Sequence, residues 1–449
     1  MTPQHTDPAA RTDGAARTDG AGKKPTLIVV HDKKGAPPSE VAVPLIWARC
    51  VFVIPATDEA RGVAPVLAAF GEVVELDLDA VEETADRLRA YAPDGIITYC
   101  EQLQRATAHL AELLGLPYHS RKTAELLTDK WQQRAVLREA GVDSVRTALI
   151  HTEDDWAAAV AHVGLPAVLK PVHGVASGNT FHVPDETTGL GHLREVLALD
   201  RPGLVRGGGL VLEEYLVGRP TGPYGDYVSV EIAVVDGELY TLGVTGKPPL
   251  VPPFRETGRF WPSPFGRAED EQCTALARSA VMALGIRTGI THTELKLTAR
   301  GPRLIEVNGR LGGGIQDLAV SAMGLDLIAY AARIALGGTE PPALVPVEGV
   351  HFQLLLPAPR RPCTVVAAEG AKEVWALDGV SNCRFYVRPG QVLDGGVATD
   401  EVGRVNGVVA DHGTYTALVE RIDSMIRLGF AFVGESEPRF VDGTELSSL

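Results

Sequence analysis

The sequence predicts a two-part fold, an open α/β domain followed by an α+β region, on three observations. From Thr26 to about residue 120, short apolar runs alternate with helical stretches, the pattern of a parallel sheet covered by helices. Later, Asp236-Gly237 separates two strand-like runs, the strongest short hairpin signal, and a second pair of runs turns at Ala299 to Pro302. The third observation is size: 449 residues, 45% apolar and 22% charged, make about three domains' worth of globular chain.

Taken in order, residues 1–24 are small and polar, with Ala-Arg-Thr-Asp-Gly-Ala repeated at 10–15 and 16–21, and read as a disordered tail. Strand-like Leu27 to Val30, Val51 to Ile54, Val73 to Leu78 and Gly95 to Tyr99 follow, with helices over Val81 to Ala92 and Gln102 to Leu114. No G-x-G-x-x-G follows the first strand, so a dinucleotide site is not supported. Next come a helix over Lys130 to Ala140 and strands over Pro166 to Val172, Thr180 to Val183 and Leu210 to Val217. The hairpins pair Val228–Val235 with Glu238–Val244 and Ile290–Leu297 with Arg303–Asn308. Beyond Gly338, Pro-rich segments bracket a C-terminal subdomain over 341–449.

Charge and cysteine usage exclude several classes. Forty-two Lys and Arg against 57 Asp and Glu give a net charge of −15, which repels nucleic acid and anionic lipid, so neither is an expected partner. Five scattered cysteines show no C-x-x-C, which argues against a disulfide scaffold or structural zinc. The most apolar window, Val41 to Ala56, holds Pro44, Arg49 and Pro55 and falls short of the roughly 20 residues of a membrane helix. With no signal-peptide pattern at the N-terminus, a reducing cytoplasm is the expected location.

The second hairpin carries the most chemistry. Side chains alternate faces, so His292, Glu294 and Lys296 share one side of the first strand, and Glu306, Asn308 and Arg310 one side of the second. A turn near residue 300 places Glu294 opposite Glu306. Facing like charges destabilise a ladder; a divalent cation relieves this, and carboxylate and amide oxygens are ligands that Mg²⁺ takes. The alternative is an acidic solvated face. Gly312-Gly313-Gly314 weighs against it, because three glycines after a strand point to close backbone approach or positive φ.

Lys170 ends an apolar run just before Gly174-Val-Ala-Ser-Gly178, where it either meets a phosphate wrapped by that loop or simply terminates the strand. Lys130 sits at a helix start, where anions are favoured. Glu213 and Glu214 interrupt the run Leu210 to Val217, and either emerge at the strand's end or belong to a hinge whose backbone bonds a purine edge.

In order along the chain, Thr128-Asp-Lys130, Lys170-Pro171 with its Gly/Ser loop, Leu212-Glu-Glu-Tyr215, Ser229-Val-Glu231, Thr291-His-Thr-Glu294 and Ile305-Glu-Val-Asn-Gly-Arg310 resemble the ATP-grasp superfamily. Asp226-Tyr-Val-Ser-Val-Glu231, Phe254-Arg-Glu-Thr257 and Thr291 to Leu297 are most similar to the dipeptide-forming L-amino acid ligases of the bacilysin type. The likeness covers about residues 26 to 340. It implies an ATP-grasp fold with an N-terminal α/β domain (25–122), a lid subdomain (123–215), a catalytic subdomain (216–340) and the C-terminal part (341–449).

The resemblance also implies an activity. An amino acid carboxylate would be joined to an amine through an acyl-phosphate, with ATP and Mg²⁺ as two ions, Mn²⁺ standing in, in a homodimer that makes peptide-like natural products. Lys130 and Lys170 would hold the ATP phosphates, Ser177 would bind the nucleotide, and Glu213, Glu214, Tyr215 and Leu216 would form the adenine hinge. Glu294, Glu306 and Asn308 would bind metal, and Arg310 would act with Lys170 on the transferring group. Glu256 would face the amino group of the first amino acid, with His292 and Gly313 beside the substrate.

Two positions depart from the family. Arg259 stands where these ligases show histidine, and Gly314 where they can carry a bulky aromatic. Arg259 points to an additional anionic group on the substrate or to a surface salt bridge, and Gly314 to a roomier pocket. Two rivals remain: an ATP-grasp carboxylase or ligase acting on a non-amino-acid carboxylate, and a nucleotide-binding sensor without turnover. The retained Glu294 and Glu306 speak against the sensor.

Overall fold

The computed structural model describes residues 23–33, 35–78, 80–198 and 208–449; the expected tail lies outside these except for its last two positions. Strands β1 (Thr26–Val30), β2 (Arg49–Pro55), β3 (Glu72–Leu76) and β4 (Gly95–Thr98) form a parallel sheet in the order β3-β2-β1-β4. Their central runs are apolar at every position because both faces are covered. Helices Val81–Arg89 and Gln104–Leu114 cover one face, and helix Leu327–Ala335 covers the other and joins this sheet to the rest of the chain. That contact needs Gly95, where a Cβ would collide with the Ala335 carbonyl.

A second sheet contains β5 (Thr147–Ile150), β6 (Ala167–Pro171), β7 (Phe181–Val183) and β8 (Leu210–Glu214), all antiparallel in the order β5-β8-β6-β7. The central strands are β9 (Tyr227–Val235), β10 (Glu238–Gly246), β11 (Gly258–Trp261), β12 (Gly289–Thr298) and β13 (Gly301–Asn308). Asp236 and Gly237, at φ 49° and 86°, make the β9–β10 turn; both central residues are left-handed, as the tight hairpin requires.

The C-terminal strands are β14 (Val350–Pro357), β15 (Cys363–Glu369), β16 (Val380–Phe385), β17 (Val392–Leu393), β18 (Glu401–Val409), β19 (Arg427–Phe432) and β20 (Arg439–Val441). Here the structure departs from the expected separate subdomain over 341–449. β14, β18 and β16 continue the central sheet in the order β13-β12-β9-β10-β11-β14-β18-β16, and only β17-β15-β19-β20 form a sheet of their own. β14 is buried along its whole length, and pairing with β11 on one edge and β18 on the other satisfies its backbone.

The expected start of the lid at residue 123 also moves. Helices Arg121–Thr128 and Lys130–Glu139 pack on the central sheet, with Leu126, Leu127 and Leu137 sharing a core with Val228, Ile232 and Leu304. They close the open edge of β13: Gln133 donates to the Val307 carbonyl and accepts from its N–H, both at 2.9 Å, and Arg134 donates to the carbonyls of Leu304 and Ile305. Among the described residues no single helix is long and apolar enough to cross a membrane.

Candidate active site

The small antiparallel sheet and the central sheet enclose a cavity of about 640 Å³, and every residue proposed from the sequence lines it. At the β6–β8 pair, Lys170 Nζ lies 2.8 Å from Glu213 Oε2, and Arg134 grips both Glu213 oxygens through Nε and Nη2 at 3.1 Å. Burial would raise the Glu213 carboxyl, but Arg134 and Lys170 outweigh it and hold it at about 2. Glu213 thus neither emerges at the strand's end nor keeps a free side chain for a purine, and two backbone donors of this stretch are already used, Glu214 N–H on the Arg146 carbonyl at 2.9 Å and Tyr215 N–H on the Pro166 carbonyl at 3.3 Å. Glu214 is turned to Arg146 at 3.2 Å. Tyr215 packs its ring near His182 and Phe254, and Leu216 continues the wall.

Lys130 bridges two elements, donating to the Gly174 carbonyl and to Glu306 Oε1, each at 2.8 Å. The helix start itself is already capped by Asp129, whose carboxylate accepts from Gln132 N–H, so the Lys130 side chain is what this terminus offers an anion. In the following loop the positive φ values fall on Ala176, Ser177 and Asn179 and not on its glycines. Backbone bonds from Asn179 N to Val397 O (2.9 Å) and from Thr399 N to Ala176 O (2.8 Å) fasten this loop to the C-terminal segment.

Across the β12–β13 ladder, Glu294 faces Glu306 and His292 faces Asn308; the turn alone would set Glu294 opposite Ile305, and a bulge that leaves Ile305 unpaired shifts the register by one. Each acid has a cationic neighbour. Glu306 has Lys130, and Glu294 Oε1 lies 3.3 Å from His292 Nε2, whose Nδ1 is 2.7 Å from the fully buried Glu231. Burial lowers the His292 pKa, but Glu231 and Glu294 raise it further, to about 9. Gly312 is required here, because a Cβ would enter the His292 ring.

No cluster of three or more His, Cys, Asp or Glu among the described residues could enclose a metal alone. Mg²⁺ asks for less, one or two carboxylates with phosphate oxygens completing its shell, and the facing Glu294 and Glu306 with the Asn308 amide fit that demand.

Arg310 follows β13, with Nε 2.8 Å from Glu101 Oε2 and Nη2 3.4 Å from Asn308 Oδ1. Glu101 lies just beyond the carboxyl end of β4, the side on which open α/β sheets hold ligands. Burial pushes its carboxyl up, with Arg310 working against that.

Glu256 is held from both sides, Oε1 by Lys247 at 2.8 Å and Oε2 by Arg259 at 3.2 Å. Burial would raise its carboxyl; the two cations hold it low. Arg259 is 5% exposed, which excludes the surface salt bridge considered from the sequence. Gly314 does not make the pocket roomier either. A Cβ there would meet Arg259 Nη1 and Gln353 Oε1, so the missing side chain is replaced by the guanidinium, which donates to the Gly313 carbonyl and to Gln353. Gly314 has φ 70°, so Gly314→Ala is expected to cost at least about 1 kcal/mol from backbone strain alone. Denaturant unfolding checks this, and adding Arg259→Ala should recover the steric part of the loss.

Arg134, Glu101, Lys247 and Gln353 were not singled out from the sequence. Arg134 had a signal, being one turn beyond Lys130 on the same helix face. The other three meet the site only through long-range folding.

A small sheet closing over a larger one, with lysines and paired carboxylates in the cleft between them, is the arrangement of an ATP-grasp protein. No family model matches the chain. The alanine–anticapsin ligase of Bacillus subtilis (strain 168) is 29% identical over 246 residues, 52% of this chain and 52% of its own. The D-alanine–D-alanine ligase of Aromatoleum aromaticum is 31% identical over 235 residues, 50% of this chain and 71% of its own. The crystal structure of an L-amino acid ligase from Bacillus licheniformis shares the fold, with a TM-score of 0.76 at 22% identity over 91% of this chain and 99% of that one. The chain belongs to the ATP-grasp ligases, and within them it is similar to the alanine–anticapsin ligases in sequence and to the L-amino acid ligase in fold. It spans about half the length of the curated alanine–anticapsin ligases it matches.

Proposed function

We propose that the chain is an ATP-dependent ligase that joins the carboxylate of an amino acid to an amine, the amino group of another amino acid, and releases ADP and phosphate. The observation that carries this reading is the pair Glu294 and Glu306, facing each other in one cleft with Lys130, Lys170 and Arg310. A carboxylate is a poor electrophile at neutral pH. Transfer of the γ-phosphoryl group to its oxygen supplies the leaving group, and attack of the amine on the resulting acyl-phosphate expels phosphate.

In this reading Lys130 and Lys170 neutralise ATP phosphates, Ser177 binds the nucleotide, and the backbone of residues 213–216 takes the adenine edge. Mg²⁺ supplies charge compensation on the phosphoryl oxygens, held by Glu294, Glu306 and Asn308; two ions, with Mn²⁺ as a substitute, extend the proposal. Arg310 meets the charge that develops on the acyl-phosphate and at the tetrahedral carbon. Glu256, His292 and Gly313 border the first substrate. The loop 174–179, fastened to residues 397 and 399, keeps water from the intermediate. We place the protein in the cytoplasm, where its five buried free cysteines stay reduced, and propose a homodimer.

Screening acid and amine pairs for phosphate release, with mass measurement of the product, tests this. A condensed product minus one water, formed one for one with ADP, is expected. ADP formation at background with every pair would favour a sensor, and amine-independent turnover with bicarbonate a carboxylase.

A further inference from the structure

We propose that the substrate whose carboxylate is activated carries a second carboxylate, bound by the Nε–Nη2 edge of Arg259. This deepens the ligase reading and rests on it.

The first ground is a half-filled edge. Elsewhere in this chain arginines grip acids through Nε and Nη2 together: Arg134 holds Glu213 in this way at 3.1 Å through each nitrogen, and Arg61 holds Glu75 at 2.9 Å. On Arg259 that edge has a single contact, Nη2 to Glu256 at 3.2 Å, while the buried Nε has no partner. A buried donor without an acceptor is costly, and a planar carboxylate is the group that fits a guanidinium edge. Arg259 also lines the cleft and is fixed on its far side by Gly313 and Gln353.

The second ground is charge. Lys247 is 1% exposed and its ammonium is paired with Glu256, so that carboxylate is already needed to neutralise a buried cation. Lys247, Arg259 and Glu256 together carry one positive charge, and the ammonium of a neutral amino acid would add a second. A second carboxylate on the substrate offsets that ammonium and returns the cluster to a single positive charge. The acids behind Arg259 are committed elsewhere. Asp317 accepts from Gln353 Nε2 at 3.0 Å and lies 3.7 Å from Arg404, and Glu401 is paired with the same Arg404. Glu40, which also lines the cleft, is pushed up to about 7 by burial and by Asp317, against the pull of Arg404.

The test compares glutamate with glutamine, and aspartate with asparagine, as carboxylate donors against a panel of amino acid amines. It reads kcat/KM for phosphate release and the mass of the product, in the wild type and in Arg259→His and Arg259→Lys. We expect the dicarboxylic donor to be favoured by about tenfold or more in the wild type. Arg259→His should abolish that ratio, and Arg259→Lys, which keeps the charge but lacks the edge, should retain only part of it. Thermal melting of each variant confirms that it is folded. Should either variant not fold, binding of glutamate against glutamine to the wild type with ADP and Mg²⁺ decides by the same ratio. Turnover with neutral donors equal to or above that with acidic ones overturns the inference while sustaining the ligase reading, as does a preference unchanged in Arg259→His. Absence of ADP formation with every pair overturns both.

Discussion

Arg310→Ala is expected to leave a folded protein with amide formation reduced by at least about 10² to 10³ in kcat, the loss seen when a donor aimed at developing negative charge is removed. The guanidinium is placed for that task by two neighbours, Glu101 at 2.8 Å and the Asn308 amide at 3.4 Å. Removing it leaves Glu101 buried without its cation, but burial already pushes that carboxyl toward its neutral form, so a proton replaces the lost partner at modest cost to stability. Activity and folding should therefore separate cleanly in this variant. Glu306→Ala is expected to show the same separation, because it removes one of the facing carboxylates and frees Lys130. ADP formation coupled to amide product at near wild-type rate in either variant would contradict the assigned roles.

Glu213→Gln should have the opposite signature, a large loss of stability. Glu213 is 4% exposed and balances both Arg134 and Lys170. Removing one charge from such a buried cluster leaves the others uncompensated, at a cost of about 3 to 5 kcal/mol at neutral pH. The pH dependence follows from the depressed carboxyl, which moves from 4.5 to about 2 on folding. Its contribution is fully present above pH 4.5 and is lost as pH falls through about 2. Denaturant unfolding of wild type and variant across this range should show a gap that is constant near neutrality and narrows below pH 4.5. A variant as stable as wild type at pH 7 would show that the cluster contributes nothing net.

The parts of the site legible in the sequence were those governed by local period. Alternation along β12 and β13 settles which residues share a face, but counting back from the turn at residues 299 and 300 puts Glu294 opposite Ile305, and it is a bulge leaving Ile305 unpaired that brings Glu306 across. The Asp236-Gly237 hairpin is legible locally, since its two residues adopt the left-handed conformation that the tight turn demands. What was not legible depends on distant packing. Arg259 and Gln353 are 94 residues apart and meet only because β11 pairs with β14. Without that pairing, Gly314 reads as empty space, whereas in the fold a guanidinium fills it. The C-terminal segment shows a similar limit. Its strands were visible as apolar runs, but nothing local says that β14 finds its partner in β11 while β15 pairs with β19.

Oxygen transfer tests the acyl-phosphate route most directly. The acid of a pair that supports phosphate release is prepared with ¹⁸O in its carboxylate and incubated with ATP, Mg²⁺ and the amine until amide has formed. The released inorganic phosphate should carry one ¹⁸O per amide made, because the carboxylate oxygen that attacks phosphorus leaves with it when the amine attacks carbon. Unlabelled phosphate alongside labelled AMP, or amide formed with no label in any phosphate product, would contradict the route.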